Sequence, residues 1–501
     1  MKTPPRRLWL LVVLAFTAVA CGSTVPKSQL QALLNGTQNQ NQGLATTGGL
    51  GSAVGGTTGG VIPGAAGGTT GGTGALGGAG SVATGNNTLG PGITKTSIYV
   101  GLIDIKNSSA GNAALGAQTG SAVDYRRPWN IVINDLNSKG GLWGHKIVPV
   151  WASFDVTSSQ TIDQQAQAAC ATWTEDNKVF AIFAGAQGGV VEGCAERAHA
   201  VNVLPAGDST PDTFRRYPHY IESSGMNIVR QGPVTVKGLS AQGYYDKGLR
   251  LGIVTWDAPN YHEALQSGYL PTLKSVGVTP ATQTAFIHVP ASFNDLGGMN
   301  SDINSAVLRF ANQHIDHVMI VDGSAGVCAG ACLGFEFLHQ AQSQGYHPRY
   351  GFNDYNYADT SVDSLYPHQQ LSGSVAVVWS DNNTAQDAGY KTNRSREDCY
   401  ALMHKYGWDF DATSDNQTFE IRSACELLWF SRAAIAKMGK AILNNDNFVA
   451  GVNLLGTSFH PLSTYVARFS ATQHDGVVAV RNERYYDSCT CYRFTSAPYV
   501  P

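Results

Sequence analysis

Hydrophobic and polar positions alternate along the chain in a way that predicts a series of strands and helices beyond residue 95. Strands are predicted where apolar residues run together between turn residues, and helices where they recur every three to four positions. The first series comprises strands at 97–104, 146–154 and 179–185 and helices at 119–137 and 161–173. The second series comprises strands at 249–256, 282–289 and 317–322 and helices at 261–276, 302–313 and 333–343. Such alternation is typical of a parallel α/β sheet.

The segment 219–225 separates the two series and is the expected point of crossing between two lobes. Two α/β lobes of about 130 residues each account for the pattern better than one large sheet. We therefore predict a two-lobed α/β protein in which each lobe is a parallel sheet flanked by helices. The first lobe is expected to comprise 93–223 plus about 382–455, and the second lobe 224–380 plus about 456–501.

The N-terminal residues differ in composition from the rest of the chain. Lys2, Arg6 and Arg7 precede an apolar run at 8–20, which is typical of a secretory signal peptide. The run is shorter than the roughly 20 residues that span a bilayer. The sequence Ala-Val-Ala-Cys-Gly at 18–22 resembles the lipobox of bacterial lipoproteins, which implies cleavage after residue 20 and lipidation of Cys21. The alternative is an ordinary cleaved signal followed by an incidental cysteine.

The segment after the signal is rich in glycine and lacks charge. No charged residue occurs at 28–94, and 16 of the 33 residues at 48–80 are glycine. Such a segment has too little apolar surface to offset the entropy of ordering its backbone. We expect a flexible tether at 21–92, anchored to the bacterial cell membrane through its lipid.

Composition limits the kinds of partner. Hydrophobic residues make up 43% of the 501 residues and the mean hydropathy is −0.13, so the chain is able to bury a sizeable core. The 33 basic residues are outnumbered by 36 acidic residues, which leaves a net charge of −3. Neutralising a phosphate backbone needs an excess of Lys and Arg, so nucleic acid is not expected as a partner.

The nine cysteines fit an exported protein that forms disulfides. Without Cys21 an even set of eight remains, and proximity in sequence favours four pairs. The pairs are Cys170 with Cys194, Cys328 with Cys332, Cys399 with Cys425, and Cys489 with Cys491. Zinc binding is the competing interpretation, but the chain has neither two Cys-x-x-Cys knuckles nor a matching His pair. No metal site is expected.

Motifs of catalysis are incomplete. The helix that begins His262-Glu263 lacks the second histidine of a zinc protease. The sequence Ser-Asp-Asn at 380–382 resembles a β-lactamase element, yet the chain contains no Ser-x-x-Lys to supply a nucleophile. We expect neither an enzyme nor a cofactor.

The segment 133–147, INDLNSKGGLWGHKI, resembles the junction between the first helix and second strand of type I periplasmic binding proteins. The relatives are leucine/isoleucine/valine and amide/urea receptors of ABC importers. The stretches 179–185, 203–211 and 252–257 follow in the family's order, and the similarity spans roughly residues 95–380. The resemblance implies two lobes joined by three crossing strands, with a ligand in the cleft between them and hinge closure.

The resemblance also implies which residues meet a ligand. In the first lobe the positions are Gln187, Gly188 and Gly189, where the family often has a serine, and Asp208, Ser209 and Thr210. In the second lobe they are Tyr261 and Asp354, the latter where the family has an acid that receives the ligand's ammonium. Each has a structural alternative: Ser209 and Thr210 as helix caps, Tyr261 as a packing aromatic, and Asp354 as a turn aspartate.

The function implied by the resemblance is capture of a small polar ligand, an amino acid, amide or related compound, outside the cytoplasm. Its partners would be that small molecule and an ABC permease, with the membrane contacted through the lipid anchor alone. The alternative is a ligand-sensing or protein-interaction lipoprotein with the same fold and no transport role.

Overall fold

Two β-sheets organise the chain, each flanked by helices. The computed structural model describes residues 88–114, 123–183, 189–329, 332–357, 365–380, 393–411 and 415–501. These residues belong to one compact unit. The predicted signal peptide, Cys21 and nearly all of the tether lie outside the described residues.

The first sheet is entirely parallel, as predicted, and has the strand order β2-β1-β3-β4-β5. Its strands are β1 (Ser97–Lys106), β2 (Lys146–Asp155), β3 (Ala181–Phe183), β4 (Val201–Leu204) and β5 (Tyr220–Glu222). The helices between them are α1 (Ser108–Ala114), α2 (Arg127–Ser138), α3 (Ile162–Cys170), α4 (Val190–Arg197) and α5 (Pro211–Arg216).

Strand β1 shows why this sheet is buried on both faces. Ile98, Val100 and Leu102 pack in one apolar core, while the alternate residues Tyr99 and Ile103 pack against a second core on the other face. Successive side chains of a strand point to opposite faces, so the continuous apolar run at 97–104 is that of a strand covered on both sides.

The segment at 133–147 forms the tight connection predicted between α2 and β2. Gly141 has φ +73°, and a Cβ at this position would lie 1.8 Å from the carbonyl oxygen of His145. Only glycine fits there. The Leu142 N–H donates to that same carbonyl at 2.9 Å, and this bond sets the entry of the chain into β2.

The second sheet has the strand order β14-β13-β12-β11-β8-β6-β7. Its strands are β6 (Leu251–Trp256), β7 (Ala285–Ile287), β8 (His317–Val321), β11 (Arg349–Asn353), β12 (Val375–Val378), β13 (Arg481–Tyr486) and β14 (Cys491–Phe494). A two-stranded ribbon, β9 (Ser324–Ala325) with β10 (Cys328–Ala329), stands apart from it. The helices of this part are α6 (Ile228–Ala241), α7 (Pro259–Ala264), α8 (Leu270–Ser275), α9 (Leu296–Asn312), α10 (Cys332–Ser343) and α11 (His368–Leu371).

The second sheet is mixed, which corrects the prediction of a purely parallel sheet in each lobe. Five strands, from β7 to β12, are parallel, but β13 pairs antiparallel with β12 and with β14. Four residues connect β13 to β14. A connection this short joins only antiparallel strands, because a parallel pair needs a crossover of a dozen or more residues.

Three helices between β12 and β13 pack against the first sheet: α12 (Arg394–Lys405), α13 (Asp415–Lys437) and α14 (Asn445–Asn453). Their apolar residues share a core with β1 and α2. The C-terminal end of this packing extends beyond α14, since Phe459, Leu462, Ala467 and Phe469 also belong to that core. The first lobe is therefore built from two separate parts of the chain.

The chain passes between the two lobes three times. The first crossing, 223–227, joins β5 to α6, and the third crossing, 454–480, joins α14 to β13. The second crossing leaves β12 at residues 379–380, and the chain is described again from residue 393, directly before α12. Isolated bridges pair Glu222 with Asp475 and Ser380 with Thr464. The crossing predicted at 219–225 lies at the first of these places.

Among the described side chains, disulfides join three of the predicted pairs, and Cys332 of the fourth pair is also disulfide-bonded. The Cα–Cα distances are 6.2 Å for Cys170–Cys194, 6.1 Å for Cys399–Cys425 and 5.1 Å for Cys489–Cys491. The side chain of Cys328, in the fourth predicted pair, lies outside the described atoms. Among the described residues, no helix is long and apolar enough to cross a membrane.

Candidate functional site

The predicted site residues that the structure describes lie near the carboxyl ends of strands in both sheets. Gln187 and Gly188 lie outside the described residues. Gly189 immediately precedes α4 and has φ +78°, a left-handed conformation that suits glycine. Asp208 follows β4, Tyr261 lies in α7 after β6, and Asp354 follows β11. Ligand sites of open α/β sheets occur at this edge.

Asp208 of the first lobe contacts the second lobe directly. The Tyr261 Oη donates to its Oδ2 at 2.5 Å, and the Ser324 N–H donates to its Oδ1 at 3.1 Å. The Asn260 amide donates to the backbone carbonyl of Asp208 at 3.1 Å. A second contact is next to it, because the Tyr355 hydroxyl donates to the carbonyl of Gly207 at 2.9 Å. The structure therefore brings Asp208 and Tyr261 together across the lobes.

Ser209 and Thr210, which follow Asp208 in sequence, are both buried. The carbonyl of Ser209 accepts from the N–H of Ile228 at 2.9 Å, and the Ser209 hydroxyl lies beside the Glu222 carboxyl. Thr210 is the residue before α5, and its N–H donates to Thr213 Oγ1 at 3.0 Å. The position of Thr210 matches the helix-cap alternative, while Ser209 presents a hydroxyl beside the crossing into α6.

Asp354 is held by the chain's own donors. Its Oδ1 accepts from the N–H groups of Trp379 at 3.0 Å and Ser380 at 2.9 Å, and its Oδ2 accepts from the Ser380 hydroxyl. A carboxylate has about four acceptor positions, so these three bonds leave one. Burial raises the pKa of Asp354 to about 6, and the bonds from Ser380 and Trp379 oppose that shift.

Two further buried acids, which the sequence reasoning missed, surround Asp208. Asp322 follows β8 and accepts from Trp256 Nε1 at 2.9 Å and from the N–H of Gly334 at 2.9 Å. Glu222 ends β5 and accepts from the Tyr220 hydroxyl at 2.7 Å. A signal was present for Asp322, since a carboxylate directly follows a buried strand. Glu222 had none, because its burial depends on the third crossing.

Burial dominates the electrostatics of this group. It raises the pKa of Asp208 to about 7, of Asp322 to about 7 and of Glu222 to about 8. Repulsion from Asp208 adds to the shifts of the other two. Ionisation of one acid in this group therefore disfavours ionisation of the next.

The group has the chemistry of polar recognition. Buried carboxyls, tyrosine hydroxyls and strand-end N–H groups supply hydrogen-bond donors and acceptors from both lobes. Among the described residues, no group of three or more His, Cys, Asp and Glu side chains has an arrangement that could hold a metal ion. A surface hollow of about 390 Å³ beside Cys170 and Cys194 shares no residue with this site.

Comparison with solved structures identifies the architecture. A leucine complex of an ABC transporter substrate-binding protein from Desulfitobacterium hafniense superposes with TM-score 0.52 at 14% identity, covering 79% of this chain and 99% of that one. The chain has the type I periplasmic binding protein fold. This confirms the two-lobed α/β prediction. No protein-family model matches the sequence, and the curated proteins contain no match.

Other structures with the type I fold differ in what they bind. A fatty acid ABC transporter substrate-binding protein from Thermomonospora curvata has TM-score 0.53 at 15% identity, covering 83% of this chain and 95% of that one. A solute-binding protein from R. palustris in complex with 4-hydroxybenzoate has TM-score 0.57 at 12% identity, covering 81% and 97%. All three structures are described as parts of ABC transporters. The fold is thus common to proteins with amino-acid, aromatic and fatty-acid ligands.

Proposed function

We propose that this protein is an extracytoplasmic solute-binding protein, without catalytic activity, that captures a small polar ligand between its lobes and delivers it to an ABC permease. The observation that carries the proposal is the meeting of strand-end residues from both sheets, Asp208 with Tyr261 and Gly207 with Tyr355. A ligand that touches both lobes favours closure, whereas one that binds open and closed forms equally shifts nothing.

The proposal includes the ligand-contact role of Gln187, Gly188, Gly189, Asp208, Ser209, Thr210, Tyr261 and Asp354. It also includes lipidation of Cys21 after removal of residues 1–20, so that the tether holds the protein at the cell membrane. Fold neighbours described with leucine and 4-hydroxybenzoate support a small organic ligand. The acidic, tyrosine-rich surroundings of Asp208 support a ligand with polar donor groups.

The test begins with identification of the ligand. Native mass spectrometry of the purified protein is expected to detect a bound small molecule. Thermal-shift screening against amino acids, amides, urea and short peptides is expected to show stabilisation by one of these classes. Calorimetry then measures affinity for wild type and for Tyr261→Phe. Weaker binding by the variant supports the cleft as the site. Full affinity in Tyr261→Phe would place the ligand elsewhere.

A second candidate is a sensing or interaction protein with the same fold and no transport role. This candidate is favoured because the protein's own donors already bind the carboxyl oxygens that a ligand would use. Asp354 accepts from Trp379 and Ser380, and Asp208 accepts from Tyr261 and Ser324. Absence of a thermal shift across the whole panel, in a protein that retains no small molecule, would select this candidate.

A further inference from the structure

A buried carboxylate fastens two of the crossings to one helix of the first lobe. Glu426 lies in α13 and is fully buried. Its Oε1 accepts from the hydroxyls of Ser223, at 2.5 Å, and of Ser224, both in the first crossing. Its Oε2 accepts from the backbone N–H groups of Leu462, at 2.9 Å, and Ser463, at 3.1 Å, in the third crossing. All four donors converge on one side chain of the first lobe.

A second carboxylate fastens the third crossing to the second lobe. Asp475 Oδ2 accepts from the backbone N–H and the side-chain amide of Asn227, each at 2.9 Å. Arg230 also donates to this oxygen, from Nε at 2.9 Å and from a second guanidinium nitrogen at 2.6 Å. Asn227 is the N-cap of α6, so Asp475, whose backbone pairs with Glu222 of β5, links the first sheet to the start of that helix.

A third carboxylate fastens the second crossing. Asp354, at the end of β11, accepts from the N–H groups of Trp379 and Ser380. The Thr464 hydroxyl of the third crossing then donates to the carbonyl of Trp379 at 2.6 Å. Trp379, Ser380 and Thr464 are thereby attached to the second lobe.

We propose that Glu426, Asp475 and Asp354 are positioning residues that hold the crossings against two rigid bodies and set where the hinge bends. In the first crossing Ser224 belongs to the first body and Asn227 to the second, so the bend falls at Gly225 and Met226.

The local geometry agrees with a pivot at residue 225. A Cβ on Gly225 would lie 2.8 Å from the Cβ of Glu222 and 3.0 Å from the Cα of Ala206. Any larger residue would press the crossing away from the first lobe, so this position needs glycine to keep the crossing close to the first lobe. Large backbone changes in hinges are absorbed by a few such residues between packed elements.

The experiment measures the distance between the lobes directly. Nitroxide labels are placed at the exposed positions Asn134 in α2 and Ser305 in α9, and pulsed electron resonance records the distance distribution without ligand. Glu426→Ala is expected to broaden the distribution and shift its mean by more than about 2 Å. Amide hydrogen exchange at Leu462 and Ser463 is expected to accelerate by about tenfold or more in the same variant.

A matched control separates hinge effects from general loss of stability. Asp135 is also buried, and it accepts from Lys139 at 2.6 Å and from Lys405 at 3.3 Å, all within the first lobe. Asp135→Asn is expected to leave the interlobe distance distribution unchanged. If Glu426→Ala does not fold, the double variant Ser223→Ala with Ser224→Ala removes half of the same contact and takes its place.

Two results would overturn the inference. One is an unchanged distance distribution in a folded hinge variant, and the other is equal broadening in Asp135→Asn. The inference rests on the proposed movement of the lobes but not on any ligand. If hinge variants broaden the distribution while no compound shifts the wild type, the hinge assignment stands and the solute-binding role fails. If a ligand shortens the interlobe distance in the wild type but the hinge variants have the same distance distribution as the wild type, the solute-binding role stands and the hinge assignment fails.

Discussion

The Tyr261 hydroxyl donates to the Asp208 carboxyl over 2.5 Å, so a side chain of the second lobe binds a side chain of the first. This bond exists only while the lobes are together. Tyr261→Phe should therefore destabilise the closed form by about 1–3 kcal/mol relative to the open form. The expected result in small-angle scattering is a larger radius of gyration without ligand.

The control for that prediction is Tyr346→Phe. The Tyr346 hydroxyl donates to the carbonyl of Ile315 at 2.8 Å inside the second lobe, so its loss affects stability without affecting closure. Equal radii for wild type and Tyr261→Phe would mean that the bond to Asp208 does not hold the lobes together.

Stability is expected to fall as pH rises from about 4.5 to about 8. Burial raises the folded-state pKa of Glu222 from 4.5 to about 8. Between these values the folded protein keeps a proton that the unfolded chain releases, so the free energy of unfolding decreases as pH rises. Asp208 and Asp322, with pKa values raised to about 7, act in the same direction. This stabilisation is fully present below the unfolded pKa and fully lost above the folded pKa.

Glu222→Gln isolates this effect. Relative to wild type, the variant is expected to gain on the order of a few kcal/mol of unfolding free energy between pH 5 and pH 9. Urea unfolding at both pH values gives the difference. Carboxyls with a lowered pKa, such as Asp135, lose their contribution as pH falls through that lowered pKa, outside this window. Parallel stability curves for the two proteins would refute the assignment of a raised pKa.

The disulfides should differ in their effect on stability. Cys399–Cys425 spans 26 residues and joins α12 to α13, and both cysteines are fully buried. Loop-closure entropy assigns it about 3.5 kcal/mol, against about 1.2 kcal/mol for Cys489–Cys491, whose sequence separation is 2. Replacing each pair by alanines and measuring thermal unfolding is expected to show the larger loss for the first pair. A larger loss for Cys489–Cys491 would contradict the entropy argument.

Asp354→Asn tests whether this carboxylate also serves a ligand. Asparagine keeps an acceptor for the N–H groups of Trp379 and Ser380, and its amide is able to donate to the Ser380 hydroxyl. Unfolding free energy should change by about 1 kcal/mol or less, while affinity for an ammonium-bearing ligand should fall ten- to a hundredfold. Calorimetry and thermal unfolding measure the two. Unchanged affinity would leave Asp354 with its role in the second crossing alone.

The sequence pattern predicted the presence of strands and helices in both sheets more accurately than the residues at which they begin and end. The predicted strands at 97–104 and 146–154 are Ser97–Lys106 and Lys146–Asp155, because long apolar runs carry the signal. The predicted helix at 161–173 divides into Ile162–Cys170 and a π-helical turn at Ala171–Asp176. Apolar spacing does not distinguish these two kinds of turn.

The candidate site was only partly predictable. Asp208 and Tyr261 were predicted through the family resemblance, and the structure brings them into contact. Glu426 and Asp475 gave no signal, since their partners lie as far as 203 and 248 residues away in sequence. Which acid is buried depends on where the crossings return, and that is a property of the tertiary fold.

The order of strands in the second sheet has a consequence for synthesis of the chain. β13 and β14, which follow the helices of the first lobe in sequence, complete that sheet beside β12, and the first lobe needs Ala467 and Phe469 for its core. Neither half is contiguous, so the first lobe reaches its final packing only after Phe469 has been made, and the second sheet only after Phe494.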